Sequence, residues 1–114
     1  MNIKLAKSEL VHFVGIGGIG MSGLSLIMKS KGFKVQGSDI SINKNIERLK
    51  KEKIKISIGH KKQNINTATI LVISSAIKKN NPELIEAKKR QLPIYKRGEM
   101  LANIVSLTKN IVVV

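Results

Sequence analysis

The feature of this sequence that most constrains its fold is a glycine-rich run between a strand-like segment and a helix-like segment. The run, residues 15–20, reads GIGGIG and contains the spacing G-x-G-x-x-G. The β-prone residues 10–14 precede it, and apolar residues recur after it at intervals of three and four as far as Lys31. Glycines at this spacing allow a tight turn and a close approach of helix to sheet. The corner is typical of a strand–turn–helix unit in a parallel α/β sheet.

Strand and helix patterns continue to alternate along the rest of the chain. A continuous apolar run at 69–73 predicts a central strand, and an alternating run at 54–58 predicts a strand near an edge. The other predicted strands are 33–37, 93–95 and 110–114, and the predicted helices are 20–31, 44–53, one capped by Asn81 before Pro82, and 99–107. The expected fold class is α/β, a Rossmann-like open parallel sheet of about five strands with helices on both faces.

The composition is that of one small globular domain. The chain has 114 residues, of which 42% are hydrophobic and 25% charged, enough for one modest core. There is no cysteine and there are only two histidines, so we expect no disulfide and no metal site. The longest apolar stretch, residues 10–21, is interrupted by glycines and is too short to span a bilayer. We therefore expect a cytoplasmic domain with no membrane contact.

The strong positive charge points first to nucleic acid. The formal net charge is +14, from 21 basic and seven acidic residues. However, 18 of the basic residues are lysines, and the chain has two Phe, one Tyr and no Trp. Arginine forks and aromatic platforms, which read bases, are therefore scarce. The lysines are also scattered through every segment. We interpret them as a solvated surface that favours anionic ligands, with a nucleic-acid-binding module as an alternative.

The glycine run is the first candidate binding element. Gly15 permits the turn, Gly17 and Gly18 let the backbone approach an anion, and Gly20 lets helix and sheet come close. The start of the following helix adds unsatisfied N–H groups and a partial positive charge. The same glycines can also serve close packing alone. The context of a preceding strand and a following helix favours a phosphate site.

Two further candidates follow the second and third predicted strands. Asp39 is placed where carboxylates accept hydrogen bonds from ribose hydroxyls in nucleotide-binding sheets, although it can also cap its loop. His60 would face the same crevice, and plain solvent exposure is an equal interpretation. His12 lies inside the first strand, so we expect it to be packed rather than functional.

The last candidates follow the fourth and fifth strands. Ser74 and Ser75 can donate to a phosphate or cap the turn. Arg97 can clamp a phosphate with its guanidinium or form a surface salt bridge with Glu99. No paired carboxylates, G-x-S-x-G motif, cysteine or G-x-x-x-x-G-K-[ST] loop is present, so we predict no catalytic residue in this chain. The pattern indicates binding of an anion rather than its transformation.

Several separated motifs together resemble the N-terminal domain of the Mur ligases, in the type that adds L-alanine to UDP-N-acetylmuramate. The resemblance covers the chain from Leu10 onward, with the motifs in the same order and at compatible spacing. They are residues 12–23 (HFVGIGGIGMSG), 37–39 (GSD), 58–60 (IGH), 74–77 (SSAI), 81–83 (NPE), and Arg97 with 99–102 (EMLA). Agreement of several motifs is more specific than the glycine run alone.

The resemblance implies a bacterial, cytoplasmic ligase of peptidoglycan precursor synthesis that uses ATP and magnesium through an acyl-phosphate intermediate. In that family the N-terminal domain holds UDP-N-acetylmuramate, and ATP and the amino acid bind in two later domains. By resemblance, residues 1–108 form the UDP-sugar-binding domain, and 109–114 are the first strand of a missing ATP-binding domain. The isolated chain is then expected to need no cofactor and to be inactive as a ligase.

The resemblance also assigns roles to the candidate residues. It places the diphosphate on Gly15, Gly17, Gly18, Gly20, Ser74 and Ser75, the uridine near Asp39 and His60, and a possible phosphate clamp at Arg97. An NAD-binding domain of a dehydrogenase or regulatory protein remains the alternative, because it uses the same loop and acidic residue. Relatives that act on recycled muropeptides are a further alternative to the alanine-adding ligases, and the glycine loop favours the alanine-adding type.

Overall fold

Five strands alternate with four helices in the part of the chain that the structure describes. The computed structural model describes residues 5–112, with side chains as far as residue 107. The strands are Leu10–Val14 (β1), Lys34–Asp39 (β2), Lys55–Ile58 (β3), Ile70–Ile73 (β4) and Ile94–Lys96 (β5). The helices are Ile19–Ser30 (α1), Lys44–Lys51 (α2), Pro82–Lys89 (α3) and Arg97–Val112 (α4), and a short 3₁₀ turn occupies Lys62–Ile65.

The five strands form one parallel sheet in the order β3-β2-β1-β4-β5. The chain builds outward from β1 to β3 on one side and then crosses to β4 and β5 on the other. The strand order therefore reverses between β1 and β4, which is where open α/β sheets bind their ligands. The predicted fold class is confirmed, as are the edge position of β3 and the inner position of β4.

Hydrophobic side chains cover both faces of the sheet. Helices α1, α2 and α4 pack on one face, and α3 packs with the 3₁₀ turn on the other. The largest members of the first cluster are Phe13, Ile16, Met21, Leu24, Met28, Ile46, Leu49, Ile70, Met100 and Ile104. The second is smaller and consists of Val14, Ile65, Ala68, Leu71, Leu84 and Ala87. Burial on both faces explains why β1 and β4 are nearly continuous apolar runs.

The predicted strand at 110–114 is wrong for residues 110–112, because α4 continues to Val112. Residues 113 and 114 lie outside the described part of the chain. Isoleucine and valine favour a strand only where a neighbouring strand supplies the hydrogen bonds, whereas a helix closes its hydrogen bonds locally. Among the described residues, none of the five strands pairs with this segment. The helix therefore continues through it. No helix among the described residues is long and apolar enough to cross a membrane.

Candidate functional site

A crevice of about 720 Å³ lies at the carboxyl ends of the strands, where the strand order reverses. The turn after β1, the ends of β2 and β3, and the segment between β4 and α3 form its walls. The sequence-predicted residues that line it are Gly15, Gly17, Gly18, Asp39, His60 and Ser74. Gly20, Ser75 and Arg97 are not part of this lining. The topology thus brings together six candidates that are up to 59 positions apart in the sequence.

The turn after β1 is held by the end of β2. Gly15 adopts φ +85°, a conformation that glycine accepts without strain. The amides of Gly15 and Ile16 both donate to the carbonyl of Ser38, at 2.9 and 3.0 Å, and the amide of Gly18 donates to the carbonyl of Gly15 at 3.2 Å. These three amides already have partners within the protein. They therefore shape the loop, and other groups must supply donors to an anion.

Asp39 supports the same loop from the end of β2. Its Oδ2 accepts a hydrogen bond from the amide of Gly17 at 2.7 Å, and its Oδ1 accepts one from the amide of Ile40 at 2.8 Å. A carboxylate has about four acceptor positions, so two remain for a ligand. A Cβ on Gly17 would lie 2.7 Å from Asp39 Oδ2, so a side chain there would displace the carboxylate that accepts from this amide. Asp39 both lines the crevice and stabilises the glycine loop.

The start of α1 supplies the free donors. Gly18 is the N-cap residue, without a side-chain cap, and the first turn contains no acidic residue. Helix geometry leaves the amides of Ile19, Gly20 and Met21 without partners inside the helix. Arg97 lies beside them, because a Cβ on Gly20 would be 2.8 Å from both Cδ and Nε of Arg97. A guanidinium next to the positive end of a helix creates a local field that favours an anion.

Arg97 does not pair with Glu99 in the described part of the chain. Oε1 of Glu99 instead accepts a hydrogen bond from the amide of Lys96 at 2.8 Å. Of the two serines, Ser74 lies over the glycine turn, with its Oγ 3.0 Å from where a Cβ on Gly15 would be. Ser75 is exposed in the following turn. Ser74 is therefore better placed than Ser75 to reach a ligand in the crevice.

A buried carboxylate beneath the crevice was not anticipated from the sequence. Glu83, the second residue of α3, is fully buried. Its Oε1 accepts hydrogen bonds from His12 Nε2 at 2.5 Å and from the hydroxyl of Ser38 at 2.7 Å. Its Oε2 lies 3.1 Å from His60 Nδ1 and accepts from Asn64 Nδ2 at 2.8 Å. The amide of Lys61 donates to the same oxygen at 3.2 Å.

These donors keep Glu83 ionised although it is buried. Burial alone raises the pKa of its carboxyl group, but hydrogen bonds from His12, Asn64 and Ser38 outweigh that effect and lower the pKa to about 2. His12 is packed inside the sheet, as its position in β1 predicts. One signal for Glu83 existed in the sequence. It shares a helix face with Leu84 and Ala87, both buried, and an acid on an apolar face requires partners.

The crevice supplies polar strand-end side chains. The start of α1, which follows the lining residue Gly18, adds free amides with Arg97 beside them, so the two neighbouring regions together can bind an anion attached to a polar group. Among residues 5–112, no group of three His, Cys, Asp or Glu side chains is arranged to hold a metal ion. None of the groups described above is an activated nucleophile. The arrangement therefore fits binding and orientation of a ligand.

Comparison with known proteins points to one family of ligases. The model of the Mur ligase family, catalytic domain, matches residues 10–109. The UDP-N-acetylmuramate–L-alanine ligase of Pelagibacter ubique (strain HTCC1062) is 80% identical over 113 residues, which are 99% of this chain and 24% of that protein. This chain therefore spans about a quarter of the length of that relative.

Solved structures show the same architecture. The UDP-N-acetylmuramate-alanine ligase MurC of Thermotoga maritima matches with a TM-score of 0.81 at 33% identity, over 84% of this chain and 22% of that one. The UDP-N-acetylmuramate:L-alanyl-gamma-D-glutamyl-meso-diaminopimelate ligase of Neisseria meningitides matches with a TM-score of 0.74 at 27% identity, over 82% and 30% respectively. The fold of this chain is thus shared with solved ligase structures.

Proposed function

Because this chain belongs to the Mur ligase family, we propose that it is the UDP-N-acetylmuramate-binding part of a ligase that adds L-alanine to that nucleotide sugar in peptidoglycan precursor synthesis. The 80% identity to a protein named for this reaction carries the proposal. The greater similarity to an alanine ligase than to a muropeptide ligase supports the choice of amino acid. A cytoplasmic location follows from the same proposal.

The geometry supports a specific placement of the diphosphate. Its oxygens would accept hydrogen bonds from the free amides of Ile19, Gly20 and Met21 at the start of α1. Arg97, whose side chain packs over Gly20, would add a charged clamp. Gly15, Gly17 and Gly18 would contribute by allowing close approach, since the amide of each already has a partner. Each charge-assisted hydrogen bond contributes about 1.5–3 kcal/mol.

The uridine would lie toward the ends of β2 and β3. Asp39 retains two acceptor positions, which suit ribose hydroxyls. His60 lines the same crevice. Ser74, above the glycine turn, is placed to contact the linker between nucleoside and sugar. In this arrangement the chain binds and orients the substrate.

ATP and magnesium, which the family uses, do not fit the residues of this chain. The sequence contains no G-x-x-x-x-G-K-[ST] loop, and no metal-binding cluster occurs among residues 5–112. We propose that residues 1–108 form the nucleotide-sugar domain and that 109–114 lead into an ATP-binding domain, not as a strand over residues 110–112. The 114 residues alone are expected to show no alanine-dependent ATP hydrolysis.

Thermal melting of the chain with UDP-N-acetylmuramate, NAD or an oligonucleotide tests the proposal. A ligand at about 100 times its Kd stabilises by about 2.7 kcal/mol, a Tm shift on the order of 10 °C for a domain of this size. We expect that shift with the UDP-sugar alone. Gly17→Ala should remove most of it, because a Cβ there collides with Asp39, whereas Gly98→Ala has open space and is the matched control.

A shift with NAD and none with the UDP-sugar would instead identify a dinucleotide-binding domain. Stabilisation by the oligonucleotide that collapses steeply with salt would identify a nucleic-acid-binding module.

A further inference from the structure

The two histidines of the chain share one buried carboxylate and use different ring nitrogens to contact it. His12 approaches Glu83 Oε1 through Nε2, and His60 approaches Glu83 Oε2 through Nδ1. A neutral imidazole carries one proton on one nitrogen and a lone pair on the other. The groups around each ring therefore determine which nitrogen carries the proton.

The surroundings of His12 place its proton on Nε2. Nδ1 of His12 lies 2.9 Å from Nε2 of Gln36. The same Gln36 nitrogen contacts the carbonyl oxygens of Asn64 and Ile65 at 3.0 and 3.2 Å, so it is the amide NH₂ group and acts as a donor. Nδ1 of His12 is therefore an acceptor. Its Nε2 donates to Glu83.

The surroundings of His60 place its proton on Nδ1. This nitrogen is 3.1 Å from Ser38 Oγ and 3.1 Å from Glu83 Oε2. The hydroxyl of Ser38 already donates its proton to Glu83 Oε1 at 2.7 Å, so Ser38 offers His60 only lone pairs. An ionised Glu83 likewise offers only lone pairs. Both neighbours of Nδ1 are acceptors, and Nδ1 must donate.

The second ring nitrogen of His60, Nε2, is separated from Nδ1 by one carbon, and the hydrogen bonds described above all involve Nδ1. His60 lines the crevice, and its side chain is 13% exposed. We propose that Glu83 is a positioning residue that holds the His60 proton on Nδ1, so that Nε2 faces the crevice as a hydrogen-bond acceptor for the nucleoside of the bound ligand. The inference rests on the proposed function, because it assigns an orientation to the same substrate.

A lone pair on Nε2 accepts a hydrogen bond, so its partner in the ligand must be a hydrogen-bond donor. The two phosphate groups of a nucleotide sugar are esterified and fully ionised at neutral pH, so they have no proton to donate to Nε2. The uracil N3–H and the ribose hydroxyls carry such protons and can donate a hydrogen bond to Nε2. His60 therefore marks the nucleoside end of the crevice, and the start of α1 with Arg97 marks the phosphate end.

Nitrogen NMR of the ¹⁵N-histidine-labelled chain at pH 8 tests the proton positions directly. We expect one ring protonated on Nε2, from His12, and one on Nδ1, from His60, assigned by the loss of its signals in His60→Asn. Uridine diphosphate should shift the Nε2 signal of His60 as expected for an accepted hydrogen bond, and inorganic pyrophosphate should not. Two rings protonated on Nε2, or a doubly protonated His60, would overturn the inference.

Binding measurements test the consequence. In His60→Asn the amide nitrogen can replace Nδ1 as donor to Glu83, but the acceptor at Nε2 is lost, so uridine diphosphate should bind about 3- to 10-fold more weakly. Pyrophosphate binding should not change. N3-methyl and 2′-deoxy analogues of uridine diphosphate identify which ligand group donates to Nε2. The analogue that lacks this donor should bind wild type and His60→Asn equally.

Glu83→Gln should also weaken uridine diphosphate binding and mix the two proton positions of His60, because an amide NH₂ then faces other donors. Glu86→Gln, in the same helix but paired with Arg90, is the control and should change neither. If Glu83→Gln does not fold, the proton positions in the wild-type spectrum and the uridine diphosphate affinity of His60→Asn still test the inference. Equal uridine diphosphate binding by wild type and His60→Asn would overturn the inference and leave the proposed function intact. Failure of wild type to bind uridine diphosphate or UDP-N-acetylmuramate would overturn both.

Discussion

Gly37, in β2, is a position where the neighbouring strand β1 and the turn after it leave no room for a side chain. A Cβ on Gly37 would lie 2.5 Å from Cδ1 of Ile16 and 2.8 Å from the carbonyl oxygen of Phe13. Ile16, the second residue of the glycine run, is fully buried there. The absence of a side chain at Gly37 therefore determines how the turn sits on the sheet. The same turn positions the start of α1, where we place the phosphates.

Replacing Gly37 by alanine is expected to destabilise the chain by about 1–3 kcal/mol, because backbone or core atoms must shift to admit the methyl group. Gly23→Ala is the matched control. Position 23 lies inside α1 with open space around it, so alanine should stabilise by about 0.5–1 kcal/mol. Urea denaturation of both variants measures the difference. Equal midpoints for Gly37→Ala and wild type would contradict the steric argument.

At the scale of elements, the start of α3 organises the floor of the crevice. Asn81 Oδ1 accepts hydrogen bonds from the amides of Glu83 and Leu84 at 2.9 and 3.4 Å. Pro82 occupies the first helical position, where its missing N–H costs nothing. The cap thus fixes where the helix begins and turns Glu83 inward beneath the sheet edge. A helix starting one residue later would point another side chain at His12 and His60.

Asn81→Ala should therefore reduce stability by about 1 kcal/mol, within the usual range for loss of a helix cap. Asn80→Ala is the control, because Asn80 also lines the crevice but is exposed and does not cap α3. Chemical denaturation should separate the two variants. A cost for Asn80→Ala as large as that for Asn81→Ala would show that the cap is not the cause.

At the scale of the whole molecule, Glu83 links α3 to four other parts of the chain. It contacts β1 through His12, β2 through Ser38, the segment after β3 through His60 and Lys61, and the 3₁₀ turn through Asn64. The contacted strands are β1 and its neighbour β2, whereas α3 follows β4, which lies on the other side of β1. One ionised carboxylate therefore connects the crevice floor across the sheet, and its protonation affects the stability of the entire domain.

The resulting pH dependence has a defined sign. The pKa of Glu83 is lowered from 4.5 to about 2 in the folded chain, so its ionised form stabilises the fold fully above about pH 4.5. This stabilisation is lost as the pH falls toward 2. From that difference the loss is on the order of 3 kcal/mol. Urea denaturation between pH 7 and 2.5 measures it.

Glu83→Gln should flatten this part of the stability curve, and the exposed Glu52→Gln should not. Parallel curves for wild type and Glu83→Gln below pH 4.5 would contradict a stabilising role for the ionised carboxylate.

The local features of the domain were determined by the sequence. The apolar periodicity of α1, the continuous run of β4, and the Asn81–Pro82 helix start depend on residues close together in the chain, and each was predicted near its observed position. The glycine run likewise identified the corner between β1 and α1. Short-range sterics and hydrogen bonding specify these features, so a linear pattern is sufficient to locate them.

Only the tertiary structure decided how distant groups use their hydrogen bonds. His12 and Glu83 are 71 positions apart, and Gly17 and Asp39 are 22 apart. Whether an amide of the glycine loop is free for a ligand depends on strand register and on which side chains arrive beside it. The helical state of residues 110–112 depends in the same way on the absence of a partner strand among the described residues. Contacts of this kind follow from packing in three dimensions, and a local pattern does not contain them.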